Sequence, residues 1–566
     1  MTDRLNGHLA NARGNPRHFG KAIEILLWIA WTFFALSWIC SHRPPNLGND
    51  SYQYLSEAHY LLYGHTPSTS LIYFDVERAH GQIPAPLTTF PPGYAIATAA
   101  FGSLGFGLES AGRLVSSIAI SLTAGLLVAL LIGSRVGWVH RQLVMLFLIA
   151  NVTIILCGAS VISDPLFTFL LTCLVAGFIW IEYRIAAARS LVVPAVLVES
   201  VAAVICWVRY AGYFVIAAFF LYAFIQWMRF RSRQRAILMA AAFIPLLSAA
   251  CLMLRNLSLT GNWKGGNELA VHNRLAPLLS TYVLSHVHLL FGSHAIKFGV
   301  WETVLVLGVL ILAVAAVVAL KGSVSKHDSP AGPHPLANIY LLTVLCVVVY
   351  TLAMLYAGLH TVISFGERMF MPLIPLYCLL LAWAISALDR RLRLAASRAR
   401  LWLTAGLALT AIGYAGVNAR DLSMPRKPAP HEAFATLYAM QMQNGQTMSD
   451  WFRQTVPSGE PILSEEGQAT GYLLDRPTVG MTTSEYSATR WECETIQPLL
   501  DRFHIHYVVL YRHLAPAQSK NPSAAVALLP ESHFVAESLA GRPPCGFAVA
   551  AQNPDILVLR NPSHTY

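Results

Sequence analysis

The chain has 566 residues, 55% of them hydrophobic and only 12% charged, with a mean hydropathy of +0.52. Soluble domains carry about 25% charged residues, so this composition excludes a water-soluble globular protein. A formal charge of +10 does not indicate a nucleic-acid partner either, because the basic residues sit in short loops between apolar runs and report membrane topology.

The N-terminal stretch MTDRLNGHLANARGNPRHFGK is polar and basic. It leads into AIEILLWIAWTFFALSWIC with no small-residue cleavage site behind it, which predicts an uncleaved first span. Apolar runs near the ~20 residues that cross a bilayer predict eleven spans, near 22–40, 113–133, 142–160, 165–181, 191–208, 210–227, 236–253, 299–320, 337–356, 369–388 and 401–418. The segments expected inside (1–21, 134–141, 182–190, 228–235, 321–334, 389–400) hold 19 Lys and Arg in 72 residues, against 9 in about 136 residues of outer connections. The positive-inside rule then places the N-terminus in the cytoplasm and the C-terminus outside.

The segment PPGYAIATAAFGSLGFGL, 91–108, is apolar enough to suggest a twelfth span, but counting it would reverse the charge bias. It is short and Gly-rich in its second half, and reads as a helix lying at the outer surface or re-entering from it. A second surface helix is expected in GNDSYQYLSEAHYLLYGH, 48–65, where Tyr54, Leu55, Ala58, Leu61 and Leu62 line one face for the membrane. Gln53, Ser56, Glu57 and Tyr60 point elsewhere, Asp50 or Ser51 caps the first turn, and Gly64 ends it. The organisation expected is a cytoplasmic tail 1–21, a membrane domain 22–418 with an outer loop 41–112 carrying two interfacial helices, and a small extracytoplasmic α/β domain over 419–566. In that last segment, PILSEEGQATGYLLDRPTVGM, TIQPLLDRFHIHYVVLYR and ILVLRNP alternate helical and β-rich patterns. Cys493 and Cys545 are its two cysteines, and a disulfide and two buried thiols both fit.

Candidate chemistry collects at the outer ends of the spans. Asp50 follows span one, Asp164 lies in ISDPLF, Arg209 in WVRYAG, Arg255, Asn256 and Lys264 in LRNLSLTGNWKGG, and Glu367 and Arg368 in SFGERMFMPLIP. Guanidinium groups can fork onto a phosphate, and a carboxylate can take a proton from a hydroxyl. Asp50 and Asp164 also fit as helix caps, the second ahead of Pro165, and each arginine fits as an interfacial anchor. His272, His286, His288 and His294 lack tight ligand spacing and read as an interfacial loop helix. Glu199 lies mid-span, protonated or paired within the bundle. Asn151 in NVT and Asn256 in NLS are discounted as glycosylation sites.

The carboxylate within GNDSYQYLSEAHYLLYGH, the FPPGYA segment opening a surface helix, SDPLF at the next outer turn and RNLSLTGN resemble the outer-loop signature of the GT-C membrane glycosyltransferases. That superfamily includes the aminoarabinose transferase of lipid A and the protein O-mannosyltransferases. The likeness covers about 22–418, and the outer tail is similar to the small C-terminal domain of many members. It implies a GT-C-like bundle, a polyprenyl-phosphate sugar donor and a lipid, glycan or protein acceptor at the periplasmic face of a bacterial inner membrane. It further implies Asp50 as base in an inverting transfer, Asp164 or Glu367 as second carboxylate, and Arg255, then Arg209 and Arg368, with Lys264, on the donor phosphate. Asp50 is followed by Ser51 where many relatives have an acidic pair, and Phe90 stands where some have His. No obligatory metal is therefore expected. Two other readings remain: an O-antigen ligase or polymerase, which would carry a large late outer loop, and a transporter, for which Glu199 is the single mid-span argument.

Overall fold

The computed structural model describes residues 16–43, 47–73, 76–265, 275–291, 335–360, 366–395, 397–423, 430–481, 491–512 and 533–561. The chain enters through α1 (Pro16–His42), then forms α2 (Asn49–Tyr63), the short strands β1 (Ser68–Thr69), β2 (Leu71–Ile72) and β3 (Ala85–Pro86), and α3 (Gly93–Gly102). The bundle continues with α4 (Leu108–Gly133), α5 (Trp138–Ile149), α6 (Val152–Gly158), α7 (Asp164–Ala186), α8 (Val192–Val208) and α9 (Gly212–Phe230). Next come α10 (Arg233–Ala241), α11 (Phe243–Thr260), α12 (Leu275–Phe291), α13 (Pro335–His360), a 3-10 turn (Glu367–Leu373) running into α14 (Ile374–Ala395), and α15 (Ser397–Ser423).

Helices overlie the expected spans within the described residues, with breaks inside 142–160 and 236–253, but those over 191–208 and 401–418 are not among the helices long and apolar enough to cross a membrane; the span expected at 299–320 lies outside the described residues. Among the described residues seven helical stretches, α10 with α11 and the 3-10 turn with α14 each counted as one, are long and apolar enough to cross a membrane, and the bent pair α5–α6 makes an eighth. The 60° bend has a local cause. The Asn151 side chain accepts the Ile154 N–H (3.0 Å), capping a new helix, while its amide nitrogen donates to Leu289 O (2.6 Å) and the Tyr414 hydroxyl (2.8 Å). Helix α3 has ten residues, roughly 15 Å at 1.5 Å per residue, half of what a crossing needs. It is too short to cross a bilayer by itself. Gly93 lets it close on the end of α8, since a Cβ there would lie 2.6 Å from Trp207 O.

At the end of the bundle away from Asp50, Glu182 of α7 is buried with Arg235 of α10. Arg235 Nη2 donates to Glu182 Oε2 (2.7 Å), and Tyr222 and Asn338 donate to the same carboxylate (2.7 and 3.0 Å). This network ties four helices together, and a buried ion pair with further donors is costly to break from one side.

After α15 the chain forms α16 (Pro430–Ala439), α17 (Met448–Thr455), β4 (Ile462–Ser464), α18 (Gly467–Leu474), β5 (Thr478–Gly480), α19 (Cys493–Phe503), β6 (Tyr507–Tyr511), α20 (His533–Leu539), β7 (Ala548–Gln552) and β8 (Ile556–Arg560). Its six-stranded sheet has the order β2-β5-β4-β6-β8-β7, with β2, β5, β4 and β6 parallel and β8 and β7 antiparallel. The fully buried run YVVLY of β6 is the continuous apolar pattern of a strand covered on both faces. Cys493 and Cys545 are joined in a disulfide, with 5.9 Å between Cα atoms. The edge strand β2 comes from the first outer loop, and Leu71 pairs in register with Thr478.

That edge explains a departure from expectation at α2. All of residues 51–58 are buried, including Gln53, Ser56 and Glu57. The helix does not rest on lipid with a polar back to solvent. Its other side is covered by the outer loop and the tail: Gln53 donates to Leu71 O (2.8 Å), Ser56 accepts from Thr69 (2.9 Å), and Tyr52 shares a hydrogen bond with His431 (3.1 Å). Tyr472 donates to Glu109, and its ring lies 5.3 Å from that of Tyr52.

Candidate functional site: two carboxylates and two arginines at one end of the bundle

The first turn of α2 begins after Gly48, whose N–H donates to Ser51 Oγ (3.2 Å). Ser51 therefore supplies the capping contact, and the Asp50 carboxylate is turned instead to Arg368, with which it forms a close ion pair. Arg368 belongs to the 3-10 turn, 318 residues further along the chain. The pair is partly open, with 22% of the Asp50 side chain and 34% of the Arg368 side chain exposed.

The Nε of the same guanidinium lies 3.7 Å from Asp164 Oδ2. Asp164 is the first residue of α7, followed by Pro165, and only 1% exposed. It gains from the helix N-terminus, where the aligned peptide dipoles favour negative charge. Arg209, in extended backbone between α8 and α9, places Nη1 2.5 Å from Asp164 Oδ2. Among the described residues neither Asp164 oxygen receives a directed hydrogen bond, so the attraction is ionic. Arg209 also donates to Ser163 Oγ (3.4 Å) and to Met369 Sδ (3.4 Å).

Sequence reasoning missed two members of this group, Tyr54 and Ser163. Tyr54 is buried and shares a 2.8 Å hydrogen bond with Ser163, tying the Asp50 helix to the start of α7. Burial pushes the Tyr54 phenol well above its ordinary value, so it stays neutral. The signal was available: Tyr54 lies four residues after Asp50, one helical turn on, where side chains share a face.

The other candidates fall elsewhere. Arg255 donates to Asn256 Oδ1 (3.1 Å) and Leu87 O (3.3 Å) and has no carboxylate partner among the described residues. Asn256 donates to the Tyr210 hydroxyl (3.0 Å), which donates to Thr88 O (2.6 Å), so this arm reaches Tyr210, the neighbour of Arg209. Glu367 is turned to His288 (3.0 Å), and His286 stacks on Phe370 with centroids 4.0 Å apart. Lys264 stands over the Trp263 ring at 5.7 Å. His272 and His294 lie outside the described residues. Among the described residues no three His, Cys, Asp or Glu side chains gather to hold a metal ion. Glu199 is fully buried in α8 and has no hydrogen-bond partner among the described residues.

The site thus joins two acids and two guanidinium groups, with balanced charge, at the mouth of a membrane bundle. A phosphate and a hydroxyl are the groups such a set handles best: forked N–H donors for one, a carboxylate for the other.

No protein-family model and no curated protein matches the sequence. Among solved structures, ArnT from Cupriavidus metallidurans in the apo state superposes with a TM-score of 0.51 over 95% of this chain and 98% of its own, at 14% identity. The same protein bound to undecaprenyl phosphate gives 0.51 at 12% identity, covering 94% and 97%. The Archaeoglobus fulgidus oligosaccharyltransferase AglB, in complex with an inhibitory peptide and a dolichol-phosphate, gives 0.50 at 13% identity, covering 87% of this chain and 70% of its own. The architecture, a helical membrane bundle with a small sheet-containing tail, is the GT-C fold.

Proposed function

We propose that this chain is a membrane glycosyltransferase that moves a sugar from a polyprenyl-phosphate donor to an acceptor hydroxyl. We place the site at the outer, periplasmic face of a bacterial inner membrane, with the N-terminus cytoplasmic and 419–566 outside as an extracytoplasmic domain. The observation that carries this reading is the partly open Asp50 carboxylate, held with Asp164 between Arg368 and Arg209 at one end of the bundle. Complexes of similarly folded proteins with undecaprenyl phosphate and dolichol-phosphate support a lipid-linked donor.

Asp50 takes the proton of the acceptor hydroxyl as its oxygen attacks the anomeric carbon. The bond from that carbon to the phosphate oxygen breaks, its electron pair leaves with the phosphate, and the configuration inverts. Guanidinium groups stabilise the negative charge that collects on the leaving phosphate, where fixed cations are most effective. Arg255 is the first anchor, because its charge is not already committed to a carboxylate. Asp164 holds Arg209 in place and does not itself touch the acceptor.

The test is transfer from radiolabelled polyprenyl-phosphate sugars to a membrane extract, comparing the wild type with Asp50→Asn. Transfer that a folded Asp50→Asn protein loses by at least ~100-fold fits a general base. Equal transfer in both proteins refutes the assignment of Asp50.

A further inference from the structure

We infer that Arg368 is a shared counter-ion, which holds the Asp50 carboxylate and passes to the donor phosphate on binding, so that the base is released only with the donor in place. The inference rests on the proposed function and adds an order of events to it.

The two arginines of the site are not equivalent. Arg209 is packed against Asp164, Ser163 and Met369 and has its charge engaged below the surface. Arg368 is one-third exposed, reaches Asp50 through Nη2 and Asp164 through Nε, and has no partner for Nη1 among the described residues. It rides on a 3-10 turn after extended Gly366, not within a regular α-helix. Arg368 is the cation that can move.

Charge favours the movement. With two carboxylates balanced by two guanidinium groups, an arriving phosphate meets no net attraction from this cluster unless one ion pair exchanges partners. A phosphate is the stronger competitor, since it offers more acceptor oxygens and more charge to a forked donor. Exchange also resolves a conflict in the chemistry. A carboxylate oxygen that already accepts a guanidinium N–H cannot at the same time take up a hydroxyl in the geometry that proton transfer needs. The Asp50 Oδ2 that would receive the acceptor hydroxyl is occupied by an Arg368 N–H, and departure of Arg368 to the phosphate uncovers it. Asp164 stays with Arg209 throughout and keeps the cluster from collapsing when Arg368 leaves.

The experiment is undecaprenyl phosphate binding to the full chain in nanodiscs, with a cryo-EM structure of the saturated wild type. The structure should show the Arg368 guanidinium on the phosphate and the Asp50 contact broken. Asp50→Asn should bind undecaprenyl phosphate about tenfold tighter than the wild type, and Arg368→Gln about tenfold more weakly, as for the gain or loss of one well-placed charge contact. A bound phosphate with Arg368 still on Asp50 overturns the inference and leaves the proposed function standing. So does unchanged affinity in either variant. Failure of the wild type to bind any polyprenyl phosphate overturns both.

Discussion

Replacing Asp164 by Asn separates a helix cap from a member of a buried ion pair. Asn caps a helix about as well as Asp, so a residue that only capped α7 would lose almost nothing. In the structure Asp164 is 1% exposed and lies 2.5 Å from an Arg209 nitrogen. Removing one partner of a buried pair leaves the other charge uncompensated and costs ~3–5 kcal/mol. Arg209 keeps its contacts to Ser163 and Met369, which puts the loss at the low end, about 3 kcal/mol. Arg209→Gln should cost less, because Arg368 Nε at 3.7 Å still faces the Asp164 carboxylate. The double variant Asp164→Asn with Arg209→Gln should recover most of either loss, because no charge remains stranded. Thermal unfolding of the detergent-solubilised full chain reads this as a drop of several degrees in each single variant and a return towards wild type in the double. An Asp164→Asn protein that melts with the wild type, or a double variant no better than the singles, refutes the coupled pair.

Arg255→Ala should raise the KM for the lipid-linked donor about tenfold, equivalent to ~1.4 kcal/mol, and leave kcat within a factor of a few; a fall in kcat at unchanged KM would move Arg255 from anchoring to the transition state. Glu199→Leu should raise the melting temperature, since two orphaned carboxyl oxygens are removed from a buried site where each unmade hydrogen bond costs ~1–3 kcal/mol; destabilisation would show that Glu199 has a role. In the tail, burial pushes Glu465 and Glu466 from 4.5 up to about 7. Their folded forms then hold protons that the unfolded chain has released, so their stabilisation is full below pH 4.5 and is lost as pH rises through 7. His431, which burial lowers from 6.5, opposes this on the acid side. The melting temperature should therefore fall from pH 5 to 7 and level off towards 8, and Glu465→Gln with Glu466→Gln should flatten that fall; an unchanged slope rejects these carboxyls as its source.

What could be read in advance follows from the range of the interactions involved. Spans, surface helices and the tail's β-rich runs are written locally, in apolar length and period, and a charge count over short loops needs no knowledge of tertiary contacts. The shortness of α3, ten residues, was legible in the same local way. The partners of α2 are different in kind. Its apolar face was legible, but Gln53, Ser56 and Glu57 look like a solvent face until a strand from the same loop joins a sheet some 400 residues later, at Thr478. Nothing in the period of a helix reports that a second surface will arrive.

The site behaves the same way. Asp50, Asp164, Arg209 and Arg368 could be chosen singly, by residue type and by position at a span end, yet their pairing could not. Arg368 is drawn to Asp50 across 318 positions, while its sequence neighbour Glu367 is drawn to His288. Adjacent residues on a tight turn point in different directions, so a cluster of charges in one short motif was never one site. Arg255 already stood first among the cations in the sequence, and the structure adds a reason for that order: Arg209 and Arg368 face acids, whereas Arg255 has no carboxylate partner among the described residues. The choice among cations is thus a question of which charge is uncommitted, and the Arg255 and Arg368 variants answer it from opposite sides: one should lose donor affinity with Asp50 still restrained, the other with Asp50 set free.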